Sequence, residues 1–211
     1  MKIPEPTLRR LPWYLAYIKL LKSKGDTVVS STQIAKEIGV DASLVSKDLS
    51  FVNISGKTRV GYEIDALTAI LESFLGFTSQ HKAFLFGVGQ LGAALMRDAG
   101  LNQYGLDIVA GFDVRKEVLG KEIEGIPVFL MDELPEKQQE YGATIGIITV
   151  PVEKAQEVTD FIITHGIKAL WNFTPFRISV PDNIVVQNTS IYAHLAVMFN
   201  RMKYPENVLK S

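Results

Sequence analysis

The sequence predicts an α/β protein in which a small helical domain precedes a doubly wound parallel sheet. Three observations lead there. Residues 83–92 form an apolar run that ends in G-x-G-x-x-G, with glycines at Gly87, Gly89 and Gly92. Asp113 lies 21 residues beyond Gly92, at the end of a second apolar run, which is the spacing of a strand, tight turn, helix and strand. From residue 82 onward, short apolar runs alternate with amphipathic stretches, as in a parallel sheet whose strands are joined by helices. About eighty residues of different character come first.

Composition bounds the possibilities. A chain of 211 residues, 47% hydrophobic, has room for one or two domains with a sizeable core. No apolar run reaches membrane-spanning length, and residues 1–6 lack a signal-peptide hydrophobic region, so a cytoplasmic protein with no membrane partner is expected. There is no cysteine. That excludes disulfides, thiolate metal sites and redox thiols, and leaves a bound cofactor as the route to any redox response. Residues 1–62 carry ten Lys/Arg against five Asp/Glu, whereas residues 63–211 carry twelve against eighteen. This asymmetry points to an anionic partner for the first third.

The elements follow in order. Leu8, Leu11, Leu15, Ile18 and Leu21 recur at helical spacing within residues 7–24, with Pro6 before them and Gly25 after. Ser30 and Gln33 fit a capping box that opens a second helix through Ile34, Ala35 and Ile38. A turn at Gly39, Val40 and Asp41 leads to a third helix, residues 42–52, with Val45, Leu49 and Val52 on one face. Residues 55–62 have glycines near both ends and two cations between, which suits a β-hairpin, and a fourth helix spans residues 64–74. Strands are expected at 83–87, 107–112, 126–129, 144–150, 168–173 and 184–187, with helices at 90–98, 132–141 and 152–165. A last helix, residues 190–202, carries Ile191, Leu195 and Met198 on one face.

Residues 31–48 have the form of a helix-turn-helix. Ala35 is small where two helices cross, and Gly39 suits a positive φ at the turn. With Val45, Leu49 and Val52 facing inward, Ser43, Ser46, Lys47 and Ser50 face outward, a set of short hydroxyls and a lysine that suits a major-groove helix. The hairpin with Lys57 and Arg59 at its tip would be a wing that reaches phosphates or the minor groove.

The glycine pattern has its own chemistry. Gly87 permits the tight turn, and Gly89 lets backbone N–H groups approach a pyrophosphate. Gln90 and Leu91 open a helix whose positive end points there, and Gly92 lets that helix pack on the strand. Asp113 would accept hydrogen bonds from ribose hydroxyls and favour NAD over NADP, whereas Arg115 and Lys116 could reach a phosphate. His81, His165 and His194 do not follow a strand, and neither metal-ligand spacing nor a nucleophile elbow appears. Binding is therefore better supported than turnover, and no catalytic or metal residue is assigned. Two other readings stay open at this level. One is an NAD-dependent oxidoreductase with an accessory helical domain. The other is a DNA-binding regulator that senses another nucleotide, such as a CoA derivative.

Taken together, these segments resemble the Rex family of bacterial redox-sensing transcriptional repressors over nearly the full chain. The matching pieces are residues 2–6, Arg10-Leu11, Val29-Ser30-Ser31, residues 46–50 and residues 56–62. In the second domain they are residues 87–92, Phe112-Asp113, Thr149-Val150-Pro151, residues 166–168 and residues 172–175. The resemblance implies a winged-helix domain (1–77), a Rossmann-like NAD(H)-binding domain (78–188) and a C-terminal part (189–211) whose helix is exchanged in a homodimer. It adds Val88, Thr149, Val150 and Pro151 to the cofactor residues. It also implies repression at an AT-rich palindromic operator, release by NADH, competition by NAD⁺, and no enzymatic activity. The chain departs from the family pattern in one place. Relatives carry an arginine, a tyrosine and an aspartate followed by phenylalanine at positions that exchange partners during switching. Here those positions are Ala16, Asp98, Ser190 and Ile191, which implies a trigger built differently.

Overall fold

The structure is a computed structural model and describes residues 3–54, 56–57, 60–118 and 120–204. It comprises two compact units, one ending at Ser79 and one beginning at Gln80.

The first unit contains α1 (Glu5–Ser23), β1 (Val28–Val29), α2 (Ser31–Ile38), α3 (Ala42–Ser50), β2 (Tyr62–Glu63) and α4 (Ile64–Phe74). The capping box forms as expected. Ser30 Oγ accepts the Gln33 N–H at 3.1 Å, and Gln33 Oε1 accepts the Ser30 N–H at 2.8 Å. Gly39 ends α2 at φ 77°, a left-handed cap that turns the chain into α3. Leu11, Leu15, Ile18, Ile34, Val45, Leu49, Leu67 and Leu71 are enclosed in one core. The stripe on α1 differs from the expected one. Leu8 is exposed, and Thr7 and Tyr14 are buried with Leu11, Leu15, Ile18 and Leu21. The reason is polar, and lies on α3.

β1 pairs antiparallel with β2, and Lys57 bridges Gly61 across the base of the hairpin. Gly61 has φ 100°, and a Cβ there would lie 2.4 Å from the Val29 carbonyl oxygen. Only glycine lets the wing close on β1 in this way. Ser55, Thr58 and Arg59 lie outside the described residues.

The second unit contains β3 (His81–Phe86), α5 (Gln90–Arg97), α6 (Ala99–Gln103), β4 (Leu106–Asp113), β5 (Glu122–Ile123) and β6 (Ile126–Leu130). It continues with α7 (Leu134–Tyr141), β7 (Ile145–Ile148), α8 (Ala155–Thr164), β8 (Ala169–Asn172), β9 (Val185–Asn188) and α9 (Ile191–Lys203). Among the described residues these strands form one sheet in the order β5-β6-β4-β3-β7-β8-β9. All neighbours are parallel except β5, which is antiparallel to β6. From β6 onward this is the doubly wound order 3-2-1-4-5-6, in which ligands bind outside the carboxyl ends of the strands where the winding reverses. Here that point lies between β3 and β7.

Alternation along the strands fills both faces. Phe84 and Phe86 join Phe112 and Ile148 in one cluster with residues of α7 and α8, while Ala83 and Leu85 join Ile108, Ile147 and Met96 in another. Two elements depart from the sequence expectation. α6 is an additional short helix, and β5 pairs with β6 through Glu124 (φ 50°) and Gly125 (φ 78°), the double positive φ of a tight hairpin. No residue of α9 is buried, and Ile191, Leu195 and Met198 all stand exposed. Among the described residues no helix is long and apolar enough to cross a membrane.

Candidate DNA-binding face and dinucleotide site

Ser43, Ser46, Lys47 and Ser50 all lie exposed on α3, while Val45 and Leu49 face the core. Two of the hydroxyls are satisfied by the helix itself. Ser46 donates to the Ala42 carbonyl at 3.1 Å and Ser50 to the Lys47 carbonyl at 2.6 Å. Lys57 is exposed at the hairpin base. The expectation for Arg59 falls outside the described residues.

Asp48, beside Lys47, is 1% exposed. Its carboxylate is held entirely from α1. Oδ1 accepts Thr7 Oγ1 at 2.9 Å and Arg10 Nη2 at 2.9 Å; Oδ2 accepts Arg10 Nε and the Tyr14 hydroxyl, each at 2.7 Å. Burial pushes the Asp48 carboxyl up, but the bonds from Arg10, Tyr14 and Thr7 and the Arg10 charge outweigh it and hold the group below the ordinary carboxylate range. Burial and the neighbouring carboxylate both push the Tyr14 hydroxyl up. This network explains the altered face of α1, because Thr7, Arg10 and Tyr14 turn toward α3. Local sequence pattern alone gives Asp48 no role. An acid three residues after Val45, on an apolar stripe, was the available signal.

The glycine loop and Thr149, both expected to hold a dinucleotide, meet at the β3–β7 switch point. Gly87 has φ 94°, and a Cβ there would lie 2.9 Å from the Thr149 carbonyl. At Gly92 a Cβ would lie 2.3 Å from the Gly87 oxygen. The Thr149 hydroxyl lies 2.7 Å from the Gly87 carbonyl and its N–H donates to Phe86, so the start of the β7 loop clasps the glycine turn. Val150 packs beside Gly87, and Pro151 is exposed where the chain leaves the sheet. Val88 is buried, so only its backbone is available to the site. Gln90 and Leu91 are exposed in the first turn of α5, whose N-cap, Gly89, offers no side-chain cap.

Gly89 tests whether a dinucleotide fits. Its φ of −77° is one that any residue adopts, and a Cβ there would meet nothing within 4 Å. Neither backbone strain nor internal packing requires glycine here, whereas both Gly87 and Gly92 are required by the chain itself. A ligand lying on the loop does require it, because a pyrophosphate must approach the backbone closely.

Asp113 ends β4 and is 7% exposed. Oδ2 accepts the Val88 N–H at 2.7 Å, and Oδ1 accepts the Arg115 N–H at 2.9 Å. Arg115 folds back over it. Nε lies 3.1 Å from Oδ1, Nη2 lies 3.1 Å from Oδ2, and Nη2 also donates to the Val88 carbonyl. Burial pushes the Asp113 carboxyl up, yet the Arg115 and Val88 bonds and the Arg115 charge bring it below the ordinary range. Beyond β8, Asn172 ties its loop together by accepting from the Thr174 N–H and donating to the Phe176 carbonyl.

None of the three histidines belongs to the glycine loop. His81 opens β3, His165 ends α8 and His194 lies on α9. At the departing positions, Asp98 caps α6 by accepting the Gly100 N–H at 2.8 Å, and Ser190 caps α9 by accepting the Ala193 N–H at 3.2 Å. Both serve local helix ends.

Both parts of the chain match known families. Residues 2–50 match the family model described as "Putative DNA-binding protein N-terminus", and residues 78–176 match the "CoA binding domain" model. The "Redox-sensing transcriptional repressor Rex" of Bacteroides fragilis is 66% identical, covering 97% of this chain and 93% of its own. Among solved structures, RSP in complex with β-NAD⁺ and operator DNA superposes with a TM-score of 0.92 at 27% identity, covering 98% of this chain and 95% of that one. RSP in complex with β-NADH gives 0.87 at 27% identity, with coverages of 98% and 97%. The chain belongs to the Rex family of redox-sensing transcriptional repressors.

Proposed function

We propose that this chain represses transcription as a homodimer on AT-rich palindromic operator DNA, and that NADH releases it while NAD⁺ competes. Residues 1–77 would read the DNA, with Ser43, Ser46, Lys47 and Ser50 in the major groove and Lys57 and Arg59 on phosphates or in the minor groove. Residues 78–188 would hold the dinucleotide. Gly87, Val88, Gly89, Gln90, Leu91 and Gly92 would face the pyrophosphate, Asp113 the adenosine ribose, and Thr149, Val150 and Pro151 the nicotinamide half. Residues 189–211 would join subunits, with the exposed apolar side chains of α9 buried by exchange into the partner. The protein would act in the bacterial cytoplasm.

The observation that carries this reading is Gly89, where neither backbone strain nor packing within the chain calls for glycine, next to Val88, whose N–H the acid Asp113 accepts. The acid also argues against CoA, whose ribose bears a phosphate that a carboxylate would repel. Release requires NADH to bind the DNA-free conformation better than the DNA-bound one, since equal affinity would shift nothing. The test is fluorescence anisotropy on a labelled palindromic duplex at fixed salt. NADH should lower the signal, and NAD⁺ alone should leave it high. A duplex that binds but ignores both dinucleotides would contradict the reading.

A further inference from the structure

A carboxylate has about four lone-pair positions, and in Asp113 all four are occupied. Two donors are fixed backbone groups, the N–H of Val88 and that of Arg115. The other two, Nε and Nη2, belong to the Arg115 side chain, which is half exposed. A ribose diol cannot hydrogen-bond Asp113 without displacing donors. The backbone donors are held by the glycine loop and by the end of β4, so the guanidinium must leave. Its Nη2 also spans to the Val88 carbonyl, so leaving opens the rim of the loop as well.

Resting on the NAD(H) reading of this site, we propose that Arg115 is a specificity-determining latch. Closed, it neutralises Asp113 and competes with the ribose, so it weakens NADH binding. Displaced, it leaves a cation beside the ribose, next to the exposed Lys116, where it offers a counter-charge to a 2′-phosphate. The acid alone would reject NADPH by charge repulsion; the acid with its arginine rejects it less. Arg115 thus lowers selectivity between the two reduced dinucleotides from both sides.

The experiment measures NADH and NADPH affinities of the full chain by dinucleotide fluorescence, for the wild type, Arg115→Ala and Arg115→Gln. Arg115→Ala should tighten NADH on the order of threefold to tenfold, the exchange of charge-assisted bonds on one carboxylate. The same variant should weaken NADPH. Arg115→Gln, which keeps donors but no charge, should fall between for NADH and lose NADPH like the alanine variant. Weaker NADH binding in Arg115→Ala would overturn the proposal and make Arg115 a ligand for the cofactor. Unchanged affinities for both dinucleotides would overturn it too. A wild type that binds neither dinucleotide would instead defeat the reading of the site itself.

Discussion

Each unit buries one aspartate against one arginine, and the two pairs are built for opposite ends. Asp48 is enclosed by three side chains from a single face of α1. Asp113 is held by backbone from two segments and by a half-exposed side chain from its own strand end. The first carboxylate is itself buried and its donors are buried or mostly so, so it ties α3 to α1. The second has one releasable partner, the half-exposed Arg115 side chain, which suits the ligand-binding role proposed for it. Burial and a low-lying pKa are common to both. What separates the structural acid from the proposed binding acid is which partner can leave.

The largest effect is expected from breaking the enclosed pair. Asp48→Ala leaves Arg10 uncompensated and should cost the first unit about 3 kcal/mol, with operator binding lost and NADH binding kept. Parallel loss of both would show that the acids do not act in separate units. Pure electrostatics makes the opposite forecast, since removing a negative charge beside Lys47 should strengthen DNA binding.

The glycines sharpen the comparison next. Gly92→Val drives a side chain into the Gly87 carbonyl and should lower the melting temperature of the second unit. Gly89→Val meets open space, so it should fold normally, bind operator and exclude NADH. Retained NADH affinity in that variant would remove the ligand explanation for Gly89.

Acid titration gives a smaller effect. Both aspartates have lowered folded-state pKa values, so their stabilisation is fully present above the unfolded carboxylate value of about 4 and fades as pH falls toward the folded values. Asp48→Asn should therefore be less stable than the wild type at pH 7, and the gap should narrow on acidification. Trp13 fluorescence in a Trp171→Phe background follows this in the first unit, and a gap that widened at low pH would reverse the sign. The smallest expected effect is that of Lys47→Ala, which should reduce the slope of log affinity against log salt by about one phosphate contact. An unchanged slope would remove Lys47 from the phosphate contacts.

Much of this was legible from spacing. The glycine loop, the six parallel strands and the exposed face of α3 follow from local periodicity and from backbone positions that only glycine fills. The Asp48 network was not, because its partners lie 34 to 41 residues away and meet only where α1 crosses α3. An acid on one apolar stripe and Thr7, Arg10 and Tyr14 along another were there to be matched. Arg115 was legible in part. Its sequence position suggested reach toward a phosphate but not its bonds to the nearby buried carboxylate. The β5 hairpin was missed because its signal is the single pair Glu124-Gly125, too short to show alternation.

DNA and dinucleotide are proposed to occupy separate units, with Asp113 linking the cofactor to release. The most direct test is operator anisotropy for Asp113→Ala, titrated with NADH beside the wild type. The account predicts wild-type DNA affinity without dinucleotide and no release at NADH concentrations that free the wild type. Release at wild-type concentrations would contradict it.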